Sequence, residues 1–141
     1  MRMAMKNDRK KGPIGDNAPP RGFPIAEFEA RLARAQAAMA KEGLDGLLLT
    51  TEPEIRYFTG FLTRFWLSPT RPWFLLVPAL GKPVAVVPSI GRECFQATWI
   101  DDVRSWDSPQ PDDEGVTLLA GTMREIFEHR VRIGTPQGPE T

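Results

Sequence analysis

The chain has one cysteine and one histidine among its 141 residues, and each scarcity excludes some chemistry. Cys94 alone cannot close an internal disulfide or build a multi-cysteine zinc cage. With Ile90 and Phe95 beside it in a segment of helical spacing, it reads as a buried, inert thiol rather than a nucleophile. His129 stands among Glu128, Arg130 and Arg132 at what reads as a charged helix end, where the dipole favours an imidazolium without any catalytic role. No glycine-x-serine-x-glycine elbow presents a nucleophile. Gly81-Lys82 lacks the preceding glycine and the following hydroxyl of a phosphate loop.

Excess charge is lacking too. The 18 basic and 18 acidic residues give a formal net charge of +0, which removes the electrostatic case for a nucleic-acid partner. No apolar run approaches the ~18 residues of a membrane span, and the N-terminus has no apolar core of a secretory signal. A cytoplasmic protein without a membrane partner is the expectation. The pairs Asp101-Asp102 and Asp112-Asp113 read as solvated turns, because a metal site needs convergent ligands, commonly with histidine among them.

What is present is the material of one soluble domain, 41% hydrophobic and 26% charged, long enough to bury a core unaided. Residues 1–22 mix Arg2, Lys6, Arg9, Lys10, Lys11 and Arg21 with glycine and proline and offer little to bury, so they read as a disordered basic leader. Order is expected over 23–141. Pro24 suits a helix's first turn; Phe28, Leu32, Ala35 and Met39 recur at helical spacing, and Gly43 supplies the stop. Gly46–Thr50 reads as a central strand covered on both faces. Thr51-Glu52-Pro53-Glu54 has the capping-box pattern and predicts a short helix ending before Gly60.

Trp73–Val77 and Val84–Val87 read as strands joined in a hairpin through Leu80-Gly81-Lys82-Pro83. Ser89 is placed to cap a helix reaching about Thr98. Val103–Trp106 reads as a strand, Asp107–Gly115 as a loop, Val116–Glu128 as a helix and Val131–Ile133 as a last strand. The order predicts an α/β sandwich, a mixed β-sheet flanked by helices.

The segment with the most to say runs from Glu54 to Trp73. Phe61, Phe65, Trp66 and Trp73 share a stretch with Arg64 and Arg71 that has turn residues and no clean period. Arginine among aromatic rings suits recognition of a carboxylate or a partner surface. The same aromatics also suit a core beneath a long loop.

The helix–Gly43-Leu44-Asp45-Gly46–strand unit, followed by Ile55-Arg56-Tyr57-Phe58-Thr59-Gly60-Phe61, resembles the N-terminal domain of the creatinase/prolidase/aminopeptidase P metallopeptidase family. The resemblance runs from Phe23 to the C-terminus and implies a ribonuclease H-like α/β sandwich. In that family a second, C-terminal domain holds two divalent metals, such as Mn or Zn, with two aspartates, a histidine and two glutamates. No such ligand can be assigned here, so no catalytic or metal residue and no cofactor is expected in this chain. The expectation is the front part of a longer enzyme, inactive alone and lacking its catalytic partner domain.

The resemblance further implies a homo-oligomer whose loop after the Tyr-x-Thr-Gly signature leans over a neighbouring subunit's active site. There an arginine binds the carboxylate of a small peptide or amide substrate. Arg71 is the matching position, with Arg64 the alternative; Pro72 departs from the pattern. Phe65, Trp66 and Trp73 complete the expected substrate-binding set. Two other readings stand beside this one: a stand-alone ligand-binding or protein-interaction module, and an anion-binding domain using the helix start at Ser89.

Overall fold

The computed structural model describes residues 22–68 and 70–138. The basic leader expected over residues 1–22 therefore lies, Gly22 apart, outside the described residues.

Helix α1 (Ile25–Glu42) turns Phe28, Leu32 and Met39 inward, as their spacing predicts. Pro24 stands just before its first turn as the N-cap residue, and Gly43 ends it in the left-handed region at φ 65°. Then come β1 (Gly46–Leu49), α2 (Glu52–Thr59), a 3₁₀ turn at Arg64–Leu67, β2 (Phe74–Pro78) and β3 (Val84–Pro88). A second 3₁₀ turn at Ser89–Gly91, α3 (Arg92–Gln96), β4 (Asp102–Trp106), α4 (Val116–Ile126) and β5 (Ile133–Gly134) complete the order.

The five strands form one mixed sheet in the order β4-β3-β2-β1-β5. β2 pairs antiparallel with β1 and β3, while β3–β4 and β1–β5 are parallel. Side chains alternate across the sheet. Leu75, Val77, Ala85 and Val87 face α1, α2 and α3 with Phe28, Ile55, Phe58, Phe61 and Phe95. Phe74, Leu76, Val84 and Val86 face the other way, against Leu119 of α4 and Trp106 at the end of β4. This is the α/β sandwich that the order of elements predicts.

β1 is, as expected, an interior strand, paired with β2 and β5 and covered on both faces, with Leu47 against one core and Leu48 against the other. Several other local expectations are corrected. The Thr51–Glu54 capping box does not close: α2 starts there, but the Thr51 hydroxyl makes no cap hydrogen bond. Ser89 opens a 3₁₀ turn rather than capping a helix, and α3 is only five residues long. Cys94 is exposed, not buried, because α3 turns Phe95 to the core and leaves its neighbour outside. α4 stops at Ile126, so His129 lies beyond the helix in the connection to β5. Asp102 is the first residue of β4, while Asp101 is exposed and pairs with Lys82 at 2.7 Å.

Candidate functional site

Strand directions select one end of the sheet. With Leu49 opposite Leu75 and Phe74 opposite Val86, the start of β2 lies level with the ends of β1 and β3. β4 ends there too, with Trp106 opposite Pro88. This end gathers the start of α2, the Arg64–Leu67 turn, Arg71 to Trp73, the Ser89–Gly91 turn and the loop from Asp107 to Gly115. In mixed α/β sheets, the crevice beyond such strand ends is the usual place for a ligand.

The Tyr-x-Thr-Gly signature builds the approach to it. Thr59 is fully buried and donates its hydroxyl to Ile55 O at 2.6 Å while accepting the Phe61 N–H at 3.0 Å. Gly60 takes φ 71° and closes the helix onto Arg56 O at 2.8 Å, a conformation that favours glycine. The chain is thereby turned inward at Phe61, whose ring stacks on Phe95 at 4.1 Å and lies 5.2 Å from Trp73. Tyr57 stays outside, accepting a hydrogen bond from Arg31 at its carbonyl, 2.9 Å, with its ring 4.7 Å from that guanidinium. The signature is a helix stop and a seam between α1 and α2.

Past it, the Thr63 hydroxyl accepts the Phe65 N–H at 3.2 Å and starts the 3₁₀ turn. Phe65 is exposed, Leu67 is 91% exposed, and Trp66 is half-buried. The Trp66 ring packs 6.2 Å from Phe61 and 5.4 Å from Trp73. Trp73 itself is only 2% exposed and belongs to the core. Gly91 makes room for it: a Cβ at that position would come within 2.2 Å of the indole. Trp73 is thus the floor beneath Trp66 rather than a wall open to solvent. Arg71 is half-buried, its guanidinium carbon 5.9 Å from the Phe65 ring centroid. Arg71, Phe65 and Trp66 therefore form one patch, and Arg64 is exposed on the same turn.

The hydrogen-bond accounting at this patch is unusual. Trp66 Nε1, Arg71 Nε and Trp73 Nε1 are all buried donors without a partner, and Thr51 Oγ1 and Glu54 Oε2 are orphaned at the start of α2. Buried polar groups are nearly always paired, and leaving one unsatisfied costs about 1–3 kcal/mol. Three N–H donors on one short loop suit an acceptor such as a carboxylate or carbonyl oxygen. Open grooves of 670 and 540 Å³ lie near the opposite end of the sheet, around Phe127 to Val131. They contain none of these orphaned atoms.

Sequence reasoning missed Glu114. Its carboxylate accepts from Trp106 Nε1 and Ser108 Oγ, both at 2.8 Å, and from the Gln110 N–H at 2.5 Å. The Trp106 hydrogen bond, then those from Gln110 and Ser108, and last the charge of Arg71, hold it below the ordinary glutamate range. Its loop had read only as solvated. The link to Arg71 spans 43 positions in sequence (114 − 71) and leaves no local pattern. Among the described residues, no three His, Cys, Asp or Glu side chains gather as a metal site. The two divalent metals that the resemblance implies therefore find no ligand set among them.

Residues 31–135 match the family model described as the Creatinase/Prolidase N-terminal domain. None of the curated proteins matches this chain significantly. Among solved structures, a prolidase from Thermococcus sibiricus is 21% identical with a TM-score of 0.67, over 78% of this chain and 28% of its own. The dipeptidase PepE from Mycobacterium ulcerans is 28% identical with a TM-score of 0.58, over 72% of this chain and 27% of its own. The N-terminal domain of an Xaa-Pro dipeptidase from Lactobacillus brevis is 18% identical with a TM-score of 0.63, covering 74% and 75% of the two chains. This chain thus spans little more than a quarter of the first two. With the sheet order, the helix stop at Thr59-Gly60 and a family match over most of its length, the chain belongs to the creatinase/prolidase N-terminal domain family.

Proposed function

We propose that this chain serves as the non-catalytic N-terminal domain of a metal-dependent Xaa-Pro peptidase or related C–N hydrolase, contributing oligomer contacts and substrate gating. The observation that carries the reading is the set of orphaned donors on the loop before β2, centred on Arg71. An arginine with an unused N–H beside the Phe65 ring is equipped to take a substrate carboxylate. Phe65 would supply an apolar wall and Trp66 a second donor, with Trp73 holding both in place. Exposed Leu62, Phe65 and Leu67 on the same loop suit burial against a neighbouring subunit. Metal ligands and the hydrolytic step belong, on this reading, to a separate domain, and the oligomer works in the cytoplasm.

The test is Arg71→Ala in the full-length protein, assayed with Xaa-Pro dipeptides. KM should rise about tenfold or more, with metal content unchanged, because the loss is one of carboxylate binding. An unchanged KM removes Arg71 from the site, and the same variant at Arg64 then decides whether that arginine takes the role. Should the full-length protein lack metal-dependent hydrolase activity altogether, the interaction-module reading replaces this one.

A further inference from the structure

We propose that the groove around Phe127, at the end of the sheet away from Arg71, is a docking site for an extended segment of a partner protein. That segment carries acidic residues at one end and large apolar side chains at the other. The inference goes beyond the substrate reading and does not rest on it.

The strand register places the groove. Gly46 stands opposite both Pro78 and Ile133, where β1 and β5 begin and β2 finishes. Phe127 is the floor. It leaves α4 in an extended conformation, and its ring lies on Gly46, where a Cβ would come within 2.4 Å of it. Two open hollows of 670 and 540 Å³ meet over this ring and share Phe127, Glu128 and Val131. Hollows joined along a common line suit an elongated ligand better than a compact one. β5 beside them is the edge of the described sheet, paired with β1 alone, so its outer backbone groups are open to a peptide's.

The two hollows differ in charge. The larger one is lined by Arg124, in the last turn of α4, and by His129 and Arg130. All three are exposed, and among the described residues none has a hydrogen-bond or ion-pair partner. Its Glu125 is already taken by Arg104 at 2.6 Å, which leaves Glu128 as the free carboxylate against two arginines and an imidazole. Arg130 sits at φ 62°, the one non-glycine in the left-handed region among the described residues. Such strain is kept where the resulting placement of a side chain matters. In the smaller hollow the charges are spent: Lys82 pairs with Asp101 at 2.7 Å, and Asp45 accepts the Arg132 N–H at 2.7 Å. What it offers is apolar, Ile126 and Val84 with Leu80, whose side chain stands 88% exposed at the rim. The pattern is complementary to an anionic end followed by an apolar one.

Charge also decides among occupants. Residues 1–21 of this chain carry Arg2, Lys6, Arg9, Lys10, Lys11 and Arg21 against Asp8 and Asp16, the wrong sign for the larger hollow. A second copy fits no better. Its exposed apolar stretch from Leu62 to Leu67 contains Arg64 and no acid, while Asp101, Asp102 and Glu114 are engaged by Lys82, Arg104 and Trp106. A separate partner must therefore supply the acidic–apolar segment.

The test titrates full-length protein into two fluorescein-labelled peptides, with three aspartates placed before or after three leucines, and follows anisotropy. The peptides contain no proline, so they are not Xaa-Pro substrates, and amidation removes the terminal carboxylate that Arg71 would select. At least one order should bind saturably. Affinity should fall about tenfold in the double variant Arg124→Gln/Arg130→Gln, and about as much when asparagines replace the aspartates. Leu80→Ser should weaken binding about threefold, and Arg71→Ala should leave it unchanged. The altered groove side chains are all exposed, so the variants should fold, which circular dichroism checks. No saturable binding in either order, or equal affinity across the groove variants, overturns the proposal. So does binding lost in Arg71→Ala, which would move the peptide to the loop before β2. Self-association that disappears in the double variant, with no peptide bound, would make the groove a contact between copies and overturn it too.

Discussion

The α1–α2 seam and the loop before β2 each place an arginine among aromatic rings, and they do so by opposite rules. At the seam, Arg31 has a side chain only 11% exposed and donates to Glu27 Oε1 at 3.0 Å and Tyr57 O at 2.9 Å. Phe23, Tyr57 and Phe28 surround its guanidinium at 4.3, 4.7 and 5.4 Å. Its donors and its faces are engaged, and the outcome is two helices stapled together. At the loop, Arg71 has one ring at 5.9 Å and an orphaned Nε. Identical residue types thus give a closed joint in one region and an open one in the other. Composition alone cannot separate these cases, because the difference lies in which hydrogen bonds are left unmade.

The largest effect expected is on the shared foundation of the loop. Phe61 is fully buried, stacked on Phe95 and packed against both Trp66 and Trp73. Phe61→Ala should destabilise the domain by about 3–5 kcal/mol, read from urea unfolding. A loss below about 1 kcal/mol would mean that the aromatic cluster is not the core it resembles.

Much of this was legible beforehand, and the failures share a cause. α1 and the β2–β3 hairpin follow from spacing and turn residues, since Phe28, Leu32 and Met39 repeat at the helical period and Gly81 sits between two apolar runs. Tyr57 to Gly60 marks the site's approach because Thr59 and Gly60 act on neighbours within four positions. What was missed is non-local. Trp73 could not be assigned to the core without knowing that Gly91 packs against it. Cys94 could not be placed outside without knowing which face of α3 meets the sheet, and nothing near Glu114 announces Arg71. The open capping box is the instructive exception. Its spacing is right, yet Thr51 and Glu54 both remain orphaned at the sheet end that gathers the other unmade bonds.

The two arginines give the next prediction directly. Arg31→Ala should cost about 1–3 kcal/mol, through lost packing, cation–π contacts and the hydrogen bond to Tyr57. Arg71→Ala should not destabilise the domain and should leave it as stable as wild type or more so, since it removes a buried donor that has no partner. Paired unfolding curves check both. Equal losses would erase the distinction between joint and site, and a large loss at Arg71 alone would reverse it.

The smallest effect concerns acid. Glu114's carboxyl lies below its ordinary value of 4.5 in the folded chain, first because Trp106 donates to it, then through Gln110, Ser108 and the Arg71 charge. A carboxylate whose pKa is depressed by folding contributes stability that is complete above the unfolded value and is lost as pH falls through the folded one. The difference in unfolding midpoint between wild type and Glu114→Gln should therefore be constant from neutral pH down to the ordinary glutamate value, then shrink as the pH falls further. Asp113 is also held low, by Thr117 at the start of α4. Both proteins keep it, so a common acid slope should remain after that difference has gone. Arg71→Ala should reproduce only a small part of the Glu114 effect, because Arg71 is the weakest of the influences on that carboxyl. An Arg71→Ala curve matching that of Glu114→Gln would mean that the two groups form a contact ion pair in solution, and Arg71 would then be as closed a joint as Arg31.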